Sequence, residues 1–399
     1  MSPANDRTAA YEEAFARHVG ADKAWAFGRG REGLFVLLRA IGVEPGDGVG
    51  VCGYTCLAVV EAVKTAAAVP VYLDVDESMC IDPEQIRGRP HGSLRAVILQ
   101  HTFGWPGRLD ELLDACRQIG AAVIEDCAHA FDCFWKGRRL GSVADGAIYS
   151  SQWSKPYSTG LGGMLTVNTP ILRERVEDVV RREAHPAGRR AEFVLGLERL
   201  LDGFVRLRRA REFLHDAGLR LRENLLCRWP KRTCDCFRPT PGFVRRMGPQ
   251  TAGAGLRRLQ NWSQVRAQRR RNMDLIEKAL SAAGLPLWPR DAKADVTPLC
   301  YPALVADKEG VLERGRREGL DIRGGYSSGV DPLEGESLRA VGYRNGDCPR
   351  ARQYVSRLVC LPAGPTFRED MLGRMIELIA GRTPVPVPPG ADKDTGRHI

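Results

Sequence analysis

The sequence predicts an α/β fold: a large domain with a mostly parallel sheet, followed by a smaller C-terminal α/β domain. Helical and strand-like stretches alternate through the first half of the chain, as they do in proteins built on parallel sheets. The 399 residues exceed what one compact core requires. The apolar content of 43% and the charged content of 27% are ordinary for a soluble globular protein.

Hydrophobic periodicity and turn residues give the elements of the first half in order. Residues 1–20 are predicted as a helix and Lys23–Phe27 as the first strand, followed by a helix that runs through Ala40. A hairpin is predicted around Gly137. Further strands are predicted at Val49–Cys52, Val69–Val75, Leu94–Leu99, Ala121–Asp126, Ala147–Ser150 and Met164–Val167, and further helices at Cys56–Ala68 and Arg108–Ile119.

The second half is predicted to be helical first and mixed afterwards. Between Ile171 and Met247 we expect two or three arginine-rich amphipathic helices, which pack on the core, on a partner subunit or on a membrane surface. Examples are Ala191–Val205 and Leu207–Leu219. A long helix follows, and then the second domain. The predicted elements are helices at Leu256–Ala283, Gly310–Glu318 and Glu369–Ala380, and strands near Thr297–Val305 and Tyr354–Leu361.

Three segments summarise the predicted organisation. Residues 1–255 form the large domain, with an N-terminal arm and a basic helical insertion at about 171–247. Residues 256–385 form the connecting helix and the small domain. Residues 386–399 form a tail rich in polar residues, Pro and Gly, which we expect to be disordered.

Charge and hydropathy narrow the classes of partner. The formal net charge is +10, and much of it lies between Arg173 and Arg271. No nucleic-acid motif or regular aromatic interleaving accompanies the arginines, so we expect no nucleic-acid partner, whereas an anionic substrate is compatible. No apolar run approaches the roughly 18 residues that span a bilayer, and the N-terminus lacks the pattern of a signal peptide. We therefore expect a cytoplasmic protein without a transmembrane segment.

The twelve cysteines are scattered along the chain and do not predict a metal site. Cys234 and Cys236 form a CxC, but there is no CxxC pair and no matching histidine spacing. Several others lie in or beside apolar stretches, where a reduced cysteine acts as a small hydrophobe. These are Cys52, Cys56, Cys116, Cys127 and Cys133.

Lys155 is the first candidate for chemistry. It follows a predicted buried strand by five residues and lies between Trp153 and Tyr157, before a glycine-rich turn. Burial disfavours the ammonium and lowers the pKa of a lysine, as a Schiff-base lysine requires. A surface lysine that happens to follow a strand is the alternative.

Asp126 is the second candidate, because it ends a predicted buried strand. An acid at the carboxyl end of a parallel strand points into the crevice where α/β sheets bind ligands. Pyridoxal 5'-phosphate (PLP) needs a lysine for its aldehyde and a carboxylate that keeps its pyridine nitrogen protonated. Asp126 and Lys155 could supply both from neighbouring strand ends, although a turn acid is the alternative for Asp126.

The segment Gly28–Gly33 has the pattern G-x-G-x-x-G at a helix start, so a Rossmann dinucleotide site must be weighed. That site needs an acid at the end of the second strand, but Gly53 and Tyr54 follow the second strand here. Amides at a helix N-terminus also bind phosphate, and Arg31 adds positive charge. A phosphate site is the other interpretation of this turn.

Six segments together resemble the DegT/StrS-type sugar aminotransferases of the aspartate-aminotransferase fold. They occur in the family's order and at compatible spacing, and the resemblance covers Phe27–Asn168 well and Leu256–Ile379 more loosely. The resemblance implies a three-layer PLP-transferase large domain, PLP as cofactor and a homodimer. The segments are Gly42–Asp47, Pro70–Asp76, His101–Pro106, Glu125–Ala130, Gly137–Gly141 and Ser150–Gly163.

The matching positions carry the family's roles onto this chain. Lys155 and Asp126 would be the catalytic residues. His101, in a loop at a strand end, and Tyr326, in a region that the family uses to contact substrate, are the substrate candidates. The residues implied to bind PLP are Gly30, Arg31, Glu32, Cys56, Asp126, His129, Ser150 and Lys155.

Three positions depart from the family's pattern. Arg31 stands where a small polar residue is usual, and Cys56 stands where an aromatic residue commonly lies against the cofactor ring. In the family, an asparagine two residues before an Arg-Met pair reaches the phosphate from the second subunit. Arg246-Met247 resembles that pair. Val244 stands at the asparagine position.

The expected function is the PLP-dependent conversion of a ketone to its amine. The ketone is a nucleotide-linked keto sugar or a related cyclic ketone. The resemblance implies glutamate or glutamine as the amino donor, and two half-reactions in one site predict ping-pong kinetics. A PLP enzyme with elimination or other chemistry is one alternative, although eliminating relatives replace the lysine with histidine. A catalytically silent protein of this fold and a Rossmann oxidoreductase are the others.

Overall fold

The computed structural model describes residues 3–188, 192–193, 195–196, 242–344 and 346–381. Helices and strands alternate through the first of these ranges. In chain order they are α1 (Pro3–Val19), β1 (Lys23–Phe27), α2 (Gly30–Ile41), β2 (Gly48–Cys52), β3 (Thr55–Cys56), α3 (Leu57–Thr65), β4 (Val69–Leu73), α4 (Glu84–Arg87), β5 (Ala96–Gln100), α5 (Leu109–Ile119), β6 (Ala122–Asp126), β7 (Phe134–Trp135), β8 (Arg138–Arg139), β9 (Gly146–Ser150), β10 (Gly163–Val167) and α6 (Pro170–Glu183).

The later part of the chain carries longer helices and shorter strands. In chain order they are α7 (Pro249–Gln260), α8 (Trp262–Ala282), β11 (Ala294–Asp295), β12 (Cys300–Leu304), α9 (Lys308–Arg317), β13 (Arg323–Gly324), β14 (Val330–Asp331), α10 (Glu336–Ala340), α11 (Pro349–Arg357), β15 (Leu358–Pro362) and α12 (Leu372–Ile379).

A seven-stranded sheet in the order β1-β10-β9-β6-β5-β2-β4 forms the centre of the first part. The pairs from β9 to β4 are parallel, whereas β10 runs antiparallel to both of its neighbours. The central strands are almost wholly buried, so their apolar runs are continuous and not alternating. The predicted α/β fold with a mostly parallel sheet is confirmed.

The later strands form a second sheet in the order β12-β15-β13. A short parallel pair between β14 and β3 joins this part of the chain to the first part. The hairpin predicted around Gly137 is confirmed, since β7 and β8 pair antiparallel on either side of it. The domain boundaries at residues 255 and 385 stay predictions.

The Rossmann interpretation of Gly28–Gly33 conflicts with the position of β1. This strand lies at the edge of the sheet, and its neighbour β10 is antiparallel to it. The Rossmann site instead lies where parallel strands reverse their order in the middle of a sheet. The glycine segment therefore serves a different purpose in this fold.

Two predicted elements of the later part are wrong. The long helix predicted over 256–283 is two helices, which break at Asn261, where the side-chain amide donates to the carbonyl of Arg257 at 3.2 Å. Such a local bond competes with the helix ladder. Tyr354 lies in α11 and not in a strand. Asp74 caps that helix, because its carboxylate accepts the backbone N–H groups of Arg350 and Ala351 at 3.0 and 2.9 Å.

Some predictions fall on residues that the structure does not describe. These are the tail at 386–399 and, apart from 192–193 and 195–196, the helices predicted at 191–205 and 207–219. The cysteines at 234 and 236 belong to the same group. Among the residues described, none of the helices has the length and apolar character that crossing a bilayer demands.

Candidate active site

The carboxyl ends of β5, β6 and β9 border a cavity of about 110 Å³ that is open to solvent. The N-terminus of α2 forms another wall, and the loop 151–162 covers it. Crevices at the carboxyl ends of parallel strands are the usual ligand sites of α/β sheets. Eight of the ten predicted site residues line this cavity: Gly30, Arg31, Cys56, Asp126, His129, Ser150, Lys155 and Tyr326.

Lys155 enters the cavity from the loop that follows β9. The loop is closed by the backbone N–H of Ser151, which donates to the carbonyl of Gly162 at 2.9 Å, and by the N–H of Lys155, which donates to Gln152 at 2.9 Å. Burial lowers the pKa of the Lys155 amine, although the nearby charge of Asp126 acts in the opposite direction. The amine is therefore closer to its nucleophilic neutral form than a surface lysine.

Asp126 ends β6 and is only 4% exposed. Burial raises the pKa of its carboxyl group, while a hydrogen bond from the Ala128 N–H at 2.9 Å and the charge of Lys155 lower it. The register of β6 against β9 places Asp126 opposite Ile148, two residues before the end of β9. Asp126 and Lys155 thus reach one cavity from neighbouring strand ends, as the sequence predicts.

His129 and Tyr326 form a contact inside the cavity. The Nδ1 atom of His129 lies 3.3 Å from the backbone N–H of Phe103 and accepts from it, so its proton must be on Nε2. Nε2 lies 3.4 Å from the Tyr326 hydroxyl. Burial and the charge of Lys155 hold the pKa of His129 well below its usual value. His129 is therefore a neutral hydrogen-bond donor toward Tyr326.

Tyr326 belongs to the later part of the chain and is held by Tyr54. Its backbone N–H donates to the Tyr54 hydroxyl at 2.7 Å, and the two ring centroids lie 4.8 Å apart. Tyr54 is fully buried beside β3. An aromatic side chain from a distant segment therefore lines the cavity, to which residue 56 contributes only a cysteine.

The N-terminus of α2 supplies an anion-binding wall. Gly30 begins the helix, and a Cβ added to it would meet the carbonyl oxygen of Tyr149 at 3.2 Å. Ser150 and Arg31 line the same wall and contribute a hydroxyl and a guanidinium. Arg31 also forms an ion pair with Glu61 of α3. Amides at the start of a helix, a hydroxyl and a guanidinium together suit a phosphate group.

Two predicted site residues have side chains outside the cavity wall. Glu32 is buried, and its carboxylate accepts the backbone N–H of Arg245 at 3.2 Å. His101 is 1% exposed, and its Nε2 is 3.0 Å from the carboxylate of Glu125. Both side chains instead contact residues that are distant in sequence. Neither therefore touches a ligand in this cavity directly.

The buried pair of Glu125 and His101 stabilises the floor of the site. Glu125 also accepts the N–H groups of Gly141, Val143 and Ala144 at 2.8 to 2.9 Å. Burial would raise the pKa of Glu125, but His101 and these backbone donors outweigh it and lower that pKa. Cys127 brings its sulfur near the same group, although the Glu125 oxygens already have their partners.

Gln100 is a cavity residue that the sequence reasoning missed. Its amide donates to the carbonyl of Tyr54 at 2.8 Å and to Thr102 at 2.9 Å, and its oxygen accepts from Thr55 at 2.9 Å. It thereby fixes the segment that leads to Cys56. The signal was present, because Gln100, like Asp126, is a polar residue at the end of a buried strand.

Val244 is buried within its own chain, at 1% exposed. Its carbonyl accepts the N–H of His185 at 2.9 Å, and the next residues run beside β1. Its side chain has no polar atom, so it offers no hydrogen bond to a phosphate. Val244 therefore does not replace the phosphate contact that the family's asparagine makes.

The fold and the cavity define an α/β protein with a lysine and an acid in one crevice at the strand ends. The sequence matches the profile of the DegT/DnrJ/EryC1/StrS aminotransferase family over residues 4–380. The chain belongs to this family.

Two curated relatives are similar to less than half of the chain. One is the L-glutamine:scyllo-inosose aminotransferase of Streptomyces griseus, which is 35% identical over 43% of this chain and 42% of the relative. The other is the GDP-perosamine synthase of Escherichia coli O157:H7, which is 30% identical over 41% of this chain and 46% of the relative. The matches span less than half the length of these relatives.

A solved structure supports the fold over nearly the whole length. The PLP-form of Spr1654 from Streptococcus pneumoniae superposes with a TM-score of 0.70 at 17% identity, covering 96% of this chain and 91% of that one. At this identity the likeness concerns the fold alone.

Proposed function

We propose that this protein is a PLP-dependent aminotransferase that converts a keto sugar or a related cyclic ketone to its amine, with glutamate or glutamine as donor. The observation that carries the proposal is the convergence of Lys155 and Asp126 in one cavity. The activities for which the two curated relatives are named support both acceptor classes, a cyclitol ketone and a nucleotide-linked sugar.

The residues of the cavity fit PLP by their chemistry. A lysine amine whose pKa is lowered by burial suits the aldehyde, and a buried carboxylate suits the ring nitrogen. Gly30 leaves the start of α2 open to a phosphate, where Ser150 and Arg31 add a hydroxyl and a positive charge. When bound, PLP supplies an electron sink for the carbon that loses its proton.

The roles of the chain's own residues follow from their positions. Lys155 would hold the coenzyme covalently and, once displaced by the donor, its Nζ would accept a proton from the substrate carbon and return it. Asp126 would hold a proton on the ring nitrogen. His129 and Tyr326 would face the ring and the substrate from the opposite side of the crevice. A homodimer and a cytoplasmic location, which the sequence predicts, are part of the proposal.

The test is the first half-reaction without any acceptor. Purified protein loaded with PLP should show a visible absorption band, and L-glutamine should abolish that band while one equivalent of the keto acid forms per site. D-Glutamine, which presents the wrong face of its carbon, is the control and should leave the band unchanged.

Other outcomes separate the alternatives. Release of ammonia from an amino sugar, with loss of water from the neighbouring carbon and recovery of the band, would favour elimination chemistry. A band that does not respond to L-glutamine, L-glutamate or any other amino acid would contradict aminotransfer and favour a silent protein of this fold. A preparation that binds NAD and not PLP would favour an oxidoreductase.

A further inference from the structure

Asp331 lies beside the cavity because of the pairing between β14 and β3. The register of these two parallel strands places Asp331 opposite Cys56. Residues directly paired on neighbouring strands point to the same face of a sheet. Since Cys56 lines the cavity, the Asp331 carboxylate lies on the cavity side of this pair.

The Asp331 carboxylate is held in place but not neutralised. One of its oxygens accepts both the N–H and the hydroxyl of Ser327, each at 2.9 Å. Its side chain is half-buried, and within the described ranges no lysine, arginine or histidine forms an ion pair with it. Its charge also reaches the Lys155 amine, whose pKa it acts to raise against the effect of burial.

This carboxylate differs in sign from the two arginines at the start of α2. Arg29 and Arg31 belong to the wall at the start of α2, to which we assign the phosphate of the coenzyme. A carboxylate accepts hydrogen bonds from hydroxyl and ammonium groups, whereas it repels a phosphate. The charge of this region therefore discriminates between the two acceptor classes that the proposed function leaves open.

We propose that Asp331 is a specificity-determining residue that accepts hydrogen bonds from hydroxyl or ammonium groups of the acceptor ring. The acceptor is then a free cyclic polyol ketone, with or without an amino group, and not a nucleotide-linked sugar. This inference rests on the proposed aminotransferase function, because it concerns the substrate of the same site.

The experiment uses the PLP-loaded protein and runs the reaction from the amine side. Two amines serve as probes: scyllo-inosamine, a polyol that is cationic through its amine, and GDP-perosamine, which carries a diphosphate. For each amine we would measure the concentration that half-abolishes the visible band and the concentration that half-inhibits conversion by L-glutamine. The wild-type protein should respond to scyllo-inosamine at the lower concentration.

The variant Asp331→Asn keeps a carbonyl oxygen for Ser327 and removes only the charge. We expect it to need about 10- to 100-fold more scyllo-inosamine, the range for a hydrogen bond to a charged group, and an unchanged concentration of L-glutamine. Asp321→Asn is the matched control. Asp321 lies in the same segment but forms an ion pair with Arg323, whereas Asp331 is paired with the cavity residue Cys56, so the Asp321 variant should resemble the wild type.

Several results would overturn the inference while leaving the proposed function intact. These are an unchanged response of Asp331→Asn to scyllo-inosamine, an equal loss toward both scyllo-inosamine and L-glutamine, a wild-type preference for GDP-perosamine, or competition from neither amine. If neither L-glutamine nor L-glutamate nor any other amino acid converts the wild-type protein, the proposed function fails, and this inference fails with it.

Discussion

Lys155 and Asp126 share a cavity in which burial moves their pKa values in opposite directions. The pKa of Lys155 is lowered and that of Asp126 is raised, so each group is shifted toward its neutral form, while their mutual attraction opposes both shifts. Burying these two ionisable groups lowers the stability of the folded chain when no ligand is bound. It is suited to a ligand that accepts the lysine amine and presents a protonated nitrogen to the carboxylate.

Glu32 gives a test of how burial acts on a single residue. Burial raises the pKa of its carboxyl group to about 7, against a usual value of 4.5. The folded protein therefore retains a proton that the unfolded chain releases between these two pH values. The resulting stabilisation is complete below pH 4.5 and is lost as the pH rises through about 7.

We expect Glu32→Gln, which mimics the protonated form, to raise the free energy of unfolding at pH 8 by at most about 3.5 kcal/mol, given about 1.4 kcal/mol per pKa unit. The gain should vanish near pH 4. Urea unfolding at both pH values measures it, with the exposed Glu44→Gln as control. A gain that is equal at both pH values, or absent at pH 8, would contradict this account of Glu32.

At the residue scale, the sequence predicts which residues lie near the crevice better than it predicts where their side chains point. Lys155 and Asp126 follow or end buried strands, and that position alone brings them to the crevice. The sequence could not show that the Glu32 carboxylate turns to the backbone of Arg245, 213 residues away, or that His101 turns to Glu125. Asp331 had no local signal, because only its pairing with Cys56 brings it to the cavity.

At the scale of elements, the start of α2 is fitted tightly against β10. A Cβ added to Gly163 would lie 2.3 Å from the Cα and N atoms of Gly30, which is far inside van der Waals contact. The glycine at the start of β10 thus lets the helix N-terminus approach the strand. This close approach positions the wall to which we assign the phosphate.

We expect Gly163→Ala to destabilise the protein by about 1–3 kcal/mol, as overpacking does, and to weaken PLP binding because α2 must shift. The free energy of unfolding and the PLP dissociation constant measure the two effects. Gly373→Ala is the control. No atom lies within 4 Å of its added Cβ in α12, so we expect it to be neutral or stabilising by up to about 1 kcal/mol. Unchanged PLP binding in Gly163→Ala would argue against the assigned wall.

Element predictions succeed where the signal is local and fail where it is not. The strands that build the large sheet were predicted within two residues at each end because their apolar runs are bounded by turns, as at β6 and β9. The break at Asn261 depends on a side-chain hydrogen bond. The helix at Tyr354 depends on a cap from Asp74, which is remote in sequence.

At the scale of the whole molecule, Asp132 joins elements that are far apart in sequence. Its carboxylate accepts from Arg139 at 2.6 Å and from the indole of Trp262 at 3.0 Å, and His18 of α1 approaches to 3.5 Å. Burial alone would raise the pKa of Asp132, but the nearby His18 and the hydrogen bond from Arg139 outweigh it and hold that pKa below its usual range. The stabilisation is thus present above about pH 4 and is lost at lower pH.

We expect Asp132→Asn to lower the free energy of unfolding at pH 7 by about 1.5–3 kcal/mol, the range for hydrogen bonds to a charged group. Asparagine tolerates the left-handed backbone of this position, where φ is +58°, so the change isolates the charge. The difference from the wild type should shrink as the pH falls below 4. Asp114→Asn, at an exposed pair with Arg117, should have almost no effect, and an equal loss in both variants would contradict the role of Asp132.

The overall architecture was predictable because alternation of helices and strands largely dictates a parallel sheet. The ordered motifs from Gly42 to Gly163 then restricted that class to one family, which the profile match over residues 4–380 confirms. The way in which the later part of the chain meets the cavity, through Tyr326 and β14, was not predictable. It depends on contacts between segments more than 250 residues apart, such as Tyr54 and Tyr326.

The most direct test of the account is the visible absorption of the purified protein with PLP, before and after Lys155→Ala. Lys308→Ala is the control, since that lysine is also half-buried with a lowered pKa but does not line the cavity. We predict that the wild type and the control show the band of covalently bound PLP and that Lys155→Ala lacks it. A band of unchanged position and intensity in Lys155→Ala would contradict the central claim.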